Sequence, residues 1–269
     1  MADPRLPPEM DAFMTNANWG PHHVKWHLEQ QYDIWHHRER QGDSRAAGVI
    51  AFGEEIGWAP AEHQEGAPGH GLRFLAMHRA MFQLLLEALP QHSAWLAGWP
   101  TPPQDPADAE DPVPGSRPFD PDKAAGVVMV ETRQAEFASE DDFALFLETD
   151  IRPVPDNPEA RSADRRTGLH NWLHNRWTDR GSSVNLGNPE VNLFNARFWR
   201  MHGWIDRLWT GYRLAHGLSD EDPEYRELIA EYRAMMDPHG GHHDHLFAKR
   251  LKKAAKLPAA LETFFAGAE

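Results

Sequence analysis

Apolar positions recur at helical spacing over most of the chain, and this periodicity predicts a mainly α-helical fold. The segment from Met10 to about Gln41 follows the pattern, with Gly20-Pro21 restarting it. A strongly apolar helix is predicted from Leu72 to Leu89, and Pro90 ends it because proline cannot continue a helix. Two further amphipathic helices are predicted over residues 223–236 and 245–265.

Segments rich in proline separate these helices. Residues 100–122 are acidic and proline-dense, which is incompatible with a helix interior and predicts a long surface loop. Residues 151–162 have a similar composition and are also predicted to be a loop. Between the two loops, VVMVETR at 127–133 predicts a short strand. A helix is expected from Ser139, a suitable N-cap followed by acidic residues, to about Thr149.

Histidines stand at positions within this pattern that suit metal binding. His170 and His174 are four residues apart in LHNWLH, so a helix would place both imidazoles on one face. His202 lies in FWRMHGWIDRLW, a second run with helical periodicity. If the two helices pack antiparallel, the three imidazoles can reach one point.

These two segments carry a resemblance to a known family. HNxxH followed by FWxxHxxxDRxW resembles the second copper-binding half of the type 3 copper proteins, which include tyrosinases, catechol oxidases, o-aminophenol oxidases and hemocyanins. Upstream, GHGLRFLAMHRAMFQLLLEAL is similar to the HGxxFLPWHRxYLxxLE segment of the first half, with His70 and His78 in the matching places. The spacing between His70 and His78 is one residue shorter than we expect for the family, and Met77 replaces the usual tryptophan.

The resemblance implies a fold and a pair of cofactors. It implies two three-histidine sets, each holding one copper ion, with dioxygen bound between the metals. The expected architecture is mainly α, with a four-helix bundle core that holds the dinuclear copper site, as bundle cores commonly do. The whole chain, residues 1–269, is expected to be a single tyrosinase-like copper domain, with 100–122 and a His-rich stretch at 237–245 as surface loops.

The third ligand of the first copper has several candidates. His23 and His27 are four residues apart in HHVKWHLEQQYDIWHH, which resembles the HHWHWH segment of hemocyanins, where one helix provides two ligands. In tyrosinases the corresponding helix provides one ligand, which would be His27 here. His63 is a possible substitute for His27. The tyrosinase-like downstream segment favours one upstream ligand. The predicted metal ligands are therefore His27, His70, His78, His170, His174 and His202.

The resemblance also implies residues that assist catalysis. Asn171 and Asn175 directly follow His170 and His174, and in the family residues at these places, with a nearby glutamate holding a water, help to deprotonate an incoming phenol. A general base must lie within hydrogen-bond reach of the proton that it removes. The glutamate has two candidates in this chain, Glu148 and Glu159.

Composition narrows the classes of function. A net charge of −14 without a clustered basic face argues against nucleic-acid or anionic-membrane binding. No cysteine is present, so metal ligands must be histidine, aspartate or glutamate, and 17 histidines suit a six-imidazole site. No apolar run is long enough to span a bilayer and no signal-peptide core precedes Met10, so we expect a cytoplasmic protein.

The leading functional hypothesis is a copper oxidoreductase that uses dioxygen to oxidise phenols, o-diphenols or o-aminophenols. Its partner would be a small phenolic or aminophenolic substrate, and whether a copper-delivery protein takes part stays open. One alternative is a reversible dioxygen carrier, and another is a descendant that has lost copper. A mononuclear zinc hydrolase is a third, but HNWLH lacks the glutamate that acts as general base in the HExxH zinc proteases.

Overall fold

Helices form nearly all of the regular structure. The computed structural model describes residues 5–105, 107–108, 118–237, 261 and 264. In these residues the α-helices are α1 Pro8–Asn16, α2 Trp19–Gln30, α3 Tyr32–Arg40, α4 Ser44–Ile56, α5 His70–Ala88, α6 Ser93–Leu96, α7 Pro121–Thr132, α8 Glu140–Glu148, α9 Leu169–Arg176, α10 Ala196–Ala215 and α11 Pro223–Met236. Strand pairing is limited there to isolated bridges such as Ile151 with Arg161. The prediction of a mainly α-helical fold is confirmed.

Local capping explains where several helices begin. The side chain of Ser139 accepts a hydrogen bond from the backbone N–H of Asp142, so the predicted N-cap of α8 is confirmed. Asp120 caps α7 in the same way, accepting from the N–H groups of Asp122 and Lys123. Side-chain oxygens at these positions satisfy N–H groups that have no partner within the helix.

The predicted strand at 127–133 is wrong, because residues 127–132 belong to α7 and Arg133 is its C-cap. Asp120 caps the helix and Pro121 occupies its first turn, where a missing N–H costs nothing. Val127 and Val130 are three residues apart and both are buried, so a helix places them on one face towards the core. Tertiary packing therefore overrides the strand preference of the valines.

The predicted helical segment from Met10 to Gln41 is divided into three helices. The first break is at Asn18, whose positive φ of 55° interrupts the helix, and the second is at Gln31. Gly20 and Pro21 do not mark a break, since both lie in the first turn of α2. Residues 100–105, 107–108 and 118–120 contain no helix, in agreement with the predicted loop, although α7 already begins at Pro121.

Helix α5 lies at the centre of the molecule and packs against α8, α10 and α11. Gly71 permits the contact with α8, because a Cβ at this position would lie 2.6 Å from the backbone nitrogen of Leu145. The large core cluster around these helices contains Trp19, Phe74 and Phe198. A smaller cluster covers the outer side of α2 and contains Trp35 together with Leu261 and Phe264.

Within the described residues, none of the helices has the length and apolar character needed to cross a membrane. The predicted His-rich loop at 237–245 lies outside the described residues from position 238 onward, as does most of the helix predicted at 245–265. The assignment of residues 1–269 to one domain stays a prediction.

Candidate metal centre

Six buried histidines from four helices form one cluster. They are His23 and His27 of α2, His78 of α5, His170 and His174 of α9, and His202 of α10. Each of these side chains is at most 4% exposed. The i, i+4 spacing places the members of each pair on the same helical face, as the sequence pattern predicted for α9.

The imidazole rings form a continuous set of contacts. Ring centroids are 4.6 Å apart for His23 and His27, and 4.5 Å apart for His170 and His174. His78 links the two pairs, because its ring lies 5.8 Å from that of His23 and stacks on His202 at 4.2 Å. The cluster therefore joins the two halves that the motifs defined separately.

Hydrogen bonds determine which ring nitrogen carries the proton. Nδ1 of His78 lies 2.9 Å from the carbonyl oxygen of Phe74, and Nδ1 of His202 lies 2.8 Å from that of Phe198. A carbonyl oxygen can only accept, so each Nδ1 donates a proton and each Nε2 keeps its lone pair. The same arrangement holds for the remaining rings whose Nδ1 contact is described: His23 with Pro189 O, His174 with Leu186 O, and His170 with Asn171 Oδ1.

The Nε2 atoms face one another inside the cluster. Nε2 of His170 and Nε2 of His202 are 3.1 Å apart, and both rings carry their proton on Nδ1. Two lone pairs at this distance repel unless a cation lies between them. Nε2 of His78 is buried and has no hydrogen-bond partner in the described part of the chain. Buried polar atoms without partners are rare in native proteins, so this nitrogen is also suited to bind a metal ion.

The distances between the nitrogens fit a metal ion. Two imidazole nitrogens bound at 2.0–2.1 Å with tetrahedral geometry lie about 3.3 Å from each other. The nitrogen pairs are separated by 3.1 Å in His170 and His202 and by 3.2 Å in His23 and His27. Ligand atoms of His78, His170 and His202 all lie within 4.8 Å of one another. The residues present therefore suit a metal held by nitrogen ligands alone.

Burial keeps these imidazoles in the form that binds metals. Desolvation lowers the pKa of His23 to about 4 and that of His174 to about 3. The same cause holds the pKa values of the other four rings, those of His27, His78, His170 and His202, well below the ordinary range. Neutral imidazole is the ligand form, so the cluster can take a metal at neutral pH without first losing protons.

His70, a predicted ligand, occupies a different position. Its Nε2 lies 2.7 Å from Oε1 of Glu148, and its Nδ1 lies 3.0 Å from Oε1 of Gln30. Its ring stacks on Trp26 at 5.8 Å, and no ring contact with the six clustered histidines is present in the described part of the chain. Burial raises the pKa of Glu148 well above its usual range, and burial lowers the pKa of His70 to about 4. We therefore assign the proton to Glu148, whose carboxyl O–H donates to His70.

The structure thus differs from the predicted ligand set at one place. Five of the predicted residues lie in the cluster, and His23 lies there where His70 was expected. His63, the other substitute considered, is partly exposed and its Nδ1 donates to the carbonyl oxygen of Pro68. Whether each imidazole binds metal stays a prediction.

The residues predicted to assist catalysis fall into two groups. Asn171 contacts the cluster directly, because its Oδ1 accepts from His170, and Asn175 lines an adjacent cavity. Glu148 is hydrogen-bonded to His70. Glu159 lines the cavity, but its carboxylate lies 3.4 Å from the guanidinium of Arg38. Among the described residues, neither glutamate has a hydrogen bond with the side chain of Asn171.

Sequence reasoning missed the carboxylate that does contact Asn171. Nδ2 of Asn171 donates to Oε1 of Glu65 at 2.9 Å, and Glu65 is only 3% exposed. Glu65 lies in the segment EEIGWAPAEHQEGAPGH, whose prolines and glycines are typical of a surface loop. No local pattern distinguishes it from the exposed Glu62, so only the tertiary structure identifies it.

A cavity of about 420 Å³ lies beside the cluster. Its lining includes Asn171, Asn175, Glu65, Trp172 and Phe264, and none of the six clustered histidines. The ring of Phe264 also contacts His27, with the centroids 5.6 Å apart. Phe264 and Asn171 therefore stand between the cavity and the imidazoles.

No protein-family model matches the chain, and neither the curated proteins nor the solved structures provide a match.

Proposed function

We propose that this protein is a dinuclear copper oxidoreductase that uses dioxygen to oxidise phenols, o-diphenols or o-aminophenols to quinone-type products. The observation that supports the proposal is the buried cluster of six imidazoles from four helices, in which Nδ1 atoms donate to carbonyl oxygens and Nε2 lone pairs face inward. In this proposal α2, α5, α9 and α10 form the four-helix core around the metals.

We assign two ligand sets by helix and motif, which divides the close group of His78, His170 and His202 between the two ions. His170, His174 and His202 would hold one ion, and His23, His27 and His78 would hold the other. This assignment replaces His70 by His23, so that α2 contributes two ligands to the first ion, as the HHWHWH-like pattern suggested. Copper suits ligation by imidazole alone, and it stands at the top of the affinity order of the divalent metals.

The bound copper pair would supply dioxygen activation and two-electron chemistry, and the protein supplies position and environment. Phe74 lies 4.6 Å from the ring of His170, and Phe198 stacks on His202 at 3.8 Å, so both exclude water from the cluster. The backbone carbonyl acceptors hold the imidazole orientations. A substrate in the adjacent cavity would approach along Asn171, which can orient its hydroxyl group.

Metal content and turnover test the proposal together. Chelator-treated protein, loaded with copper and desalted, should contain two coppers per chain and should oxidise catechol and 2-aminophenol under air. His202→Ala should lose one copper and the activity, whereas His63→Ala, a control histidine outside the cluster, should keep both. One copper per chain, or a preference for zinc at one site, would refute a dinuclear copper site. Copper and dioxygen binding without turnover would indicate the carrier function instead.

The revised ligand set has its own test. His23→Ala should retain about one copper, and His70→Gln should retain two, because His70 is bound to Glu148 and Gln30. The opposite result would restore the tyrosinase-like set with His70. Circular dichroism of both variants checks that each is folded before its metal content is compared.

A further inference from the structure

We infer that Glu65 is a positioning residue that sets the tautomer of His170 through Asn171. It thereby controls binding of the second metal, which is the ion assigned to His170, His174 and His202. The inference rests on the metal-binding part of the proposed function. It concerns an anchored carboxylate outside the ligand set, and the observation behind it is a chain of hydrogen bonds between Glu65, Asn171 and His170.

Glu65 is held by donors from three parts of the chain. Its Oε1 accepts from Asn171 Nδ2 at 2.9 Å and from Thr149 Oγ1 at 2.7 Å. Its Oε2 accepts from Gln31 Nε2 at 2.6 Å, and its backbone N–H donates to the carbonyl oxygen of Gln30 at 2.8 Å. A carboxylate that only accepts matches these three side-chain donors, and no Lys or Arg ion pair to Glu65 is present among the described residues.

This anchoring determines the orientation of the Asn171 amide. A terminal amide has one accepting oxygen and one donating nitrogen. Since Nδ2 points to Glu65, Oδ1 must point to Nδ1 of His170, which lies 2.8 Å away. If the amide were reversed, its NH₂ group would face Nδ1 of His170. The proton of His170 would then be favoured on Nε2, the nitrogen that the metal requires.

His170 depends on this arrangement more than His23, His78, His174 and His202 do. His23, His78, His174 and His202 donate through Nδ1 to backbone carbonyl oxygens, which cannot exchange an acceptor for a donor. Among the five clustered rings whose Nδ1 contact is described, only His170 relies on a side-chain amide. Amides can rotate, so this ligand needs a further group that fixes the rotation, and Glu65 is in contact with the amide.

Glu65 also connects the two ligand sets. Gln31 directly follows α2, which carries His23 and His27, while Asn171 lies on α9 beside His170. The amide of Gln31 donates to Oε2 of Glu65, and the amide of Asn171 donates to Oε1 of the same carboxylate. The position of α9 relative to the end of α2 is thus held by Glu65.

The test replaces Glu65 by its neutral isostere. Glu65→Gln should lower the affinity for the second copper(I) by about 10-fold to 100-fold, the usual effect of removing a group that orients a ligand, and should leave the first affinity within about threefold. Affinities are measured by competition with a chromophoric copper(I) chelator. Thr149→Val is the matched control, because it removes another donor from the same carboxylate while Asn171 keeps its contact, and its second affinity should stay within about threefold of wild type.

A double-mutant cycle and the tautomer itself separate this role from general destabilisation. On an Asn171→Ala background, Glu65→Gln should cause less than about a threefold further loss, because the residue through which Glu65 acts is already absent. In metal-free protein, long-range ¹H–¹⁵N correlation spectra should show His170 protonated on Nδ1 in wild type and shifted towards Nε2 in Glu65→Gln. Glu65→Asp, which keeps the charge but withdraws the carboxylate by one methylene, serves if the Gln variant does not fold.

The outcomes distinguish the inference from the proposed function. Unchanged second affinity and an unchanged His170 tautomer in Glu65→Gln, with two coppers in wild type, would overturn the inference and leave the proposed function standing. Fully additive losses in the cycle would also overturn it. Fewer than two coppers in wild type would overturn the proposed function, while the tautomer in the metal-free protein would still test the role of Glu65.

Discussion

The metal-free protein should lose its stability steeply between about pH 6.5 and pH 5. The six clustered imidazoles and His70 are buried and neutral in the fold, with pKa values lowered by desolvation, whereas in the unfolded chain they titrate near 6.5. Below pH 6.5 the unfolded state therefore binds more protons than the folded state. Stability falls as the pH decreases, and the loss ends only below the folded pKa values of about 4 for His23 and about 3 for His174.

The size of the effect follows from the unfolded pKa. At pH 5.5 each imidazole costs about 1.4 kcal/mol relative to pH 7.5, because its folded pKa lies more than one unit lower and the unfolded state alone is protonated. Seven such groups amount to roughly 10 kcal/mol. Glu148 acts in the opposite direction, because its raised pKa keeps it protonated in the fold while it is ionised in the unfolded chain. Lowering the pH from 7.5 to 5.5 therefore stabilises the fold by up to about 3 kcal/mol at this residue. The remaining loss of roughly 7 kcal/mol is comparable to the whole stability of a typical domain.

Urea unfolding at pH 7.5 and pH 5.5 measures this loss. Tryptophan fluorescence and circular dichroism should give coincident transitions at pH 7.5, and the midpoint should fall close to zero urea at pH 5.5. The copper-loaded protein should resist the same change in pH, because the metal binds the neutral imidazoles and competes with protons. His216→Gln, which replaces an exposed histidine, should reproduce the wild-type loss. Equal midpoints for the metal-free protein at the two pH values would refute the burial of neutral imidazoles as the source.

Three further predictions concern single side chains. Arg79→Leu should destabilise the protein by about 1.5–3 kcal/mol in urea unfolding, because it removes the charge-assisted hydrogen bond from buried Arg79 to Asp206, whose carboxylate is 30% exposed. At saturating copper, Asn171→Ala should reduce the hydroxylation of a monophenol at least tenfold more than the oxidation of an o-diphenol, about 1.4 kcal/mol of selective stabilisation, and equal losses would mean that Asn171 only supports the metal site. Phe264→Ala should raise kcat/KM for a catechol with a bulky substituent more than for catechol itself, since Phe264 stands between the cavity and His27; an unchanged ratio would mean that substrate enters by another way.

Regular periodicity allowed much of the fold to be predicted. The long helices α5 and α10 match their apolar patterns, and the cap at Ser139 places the start of α8. The failures have physical causes that are not local. The valines of α7 favour a strand in isolation, but their burial on one helical face decides the structure. The break at Asn18 depends on a left-handed backbone conformation, which asparagine adopts more readily than most residues other than glycine but adopts here only in its tertiary context.

The candidate site was predictable where spacing along one helix defines it. His170 and His174 needed only a helical period, whereas the choice between His23 and His70 depends on which chain segment reaches the cluster. His23 lies in the hemocyanin-like segment and His70 lies in the tyrosinase-like segment, and both are buried. Their difference lies in partners distant in sequence: Pro189 accepts from His23, and Glu148 donates to His70. Glu65 could not be predicted from the sequence for the same reason, because its partners Thr149 and Asn171 are distant from it along the chain.

The residues around the histidines in the two motifs explain how the halves are held in register. Arg79 directly follows His78, and Asp206 lies one helical turn after His202. Nε of Arg79 donates to Asp206 at 2.6 Å, and the guanidinium also lies over the ring of Trp209, 3.8 Å from its centroid. The pair therefore ties α5 to α10 beside the two stacked imidazoles. HR in one segment and DRxW in the other are thus complementary parts of a single contact, so the two segments that the motifs identified separately are joined in the fold.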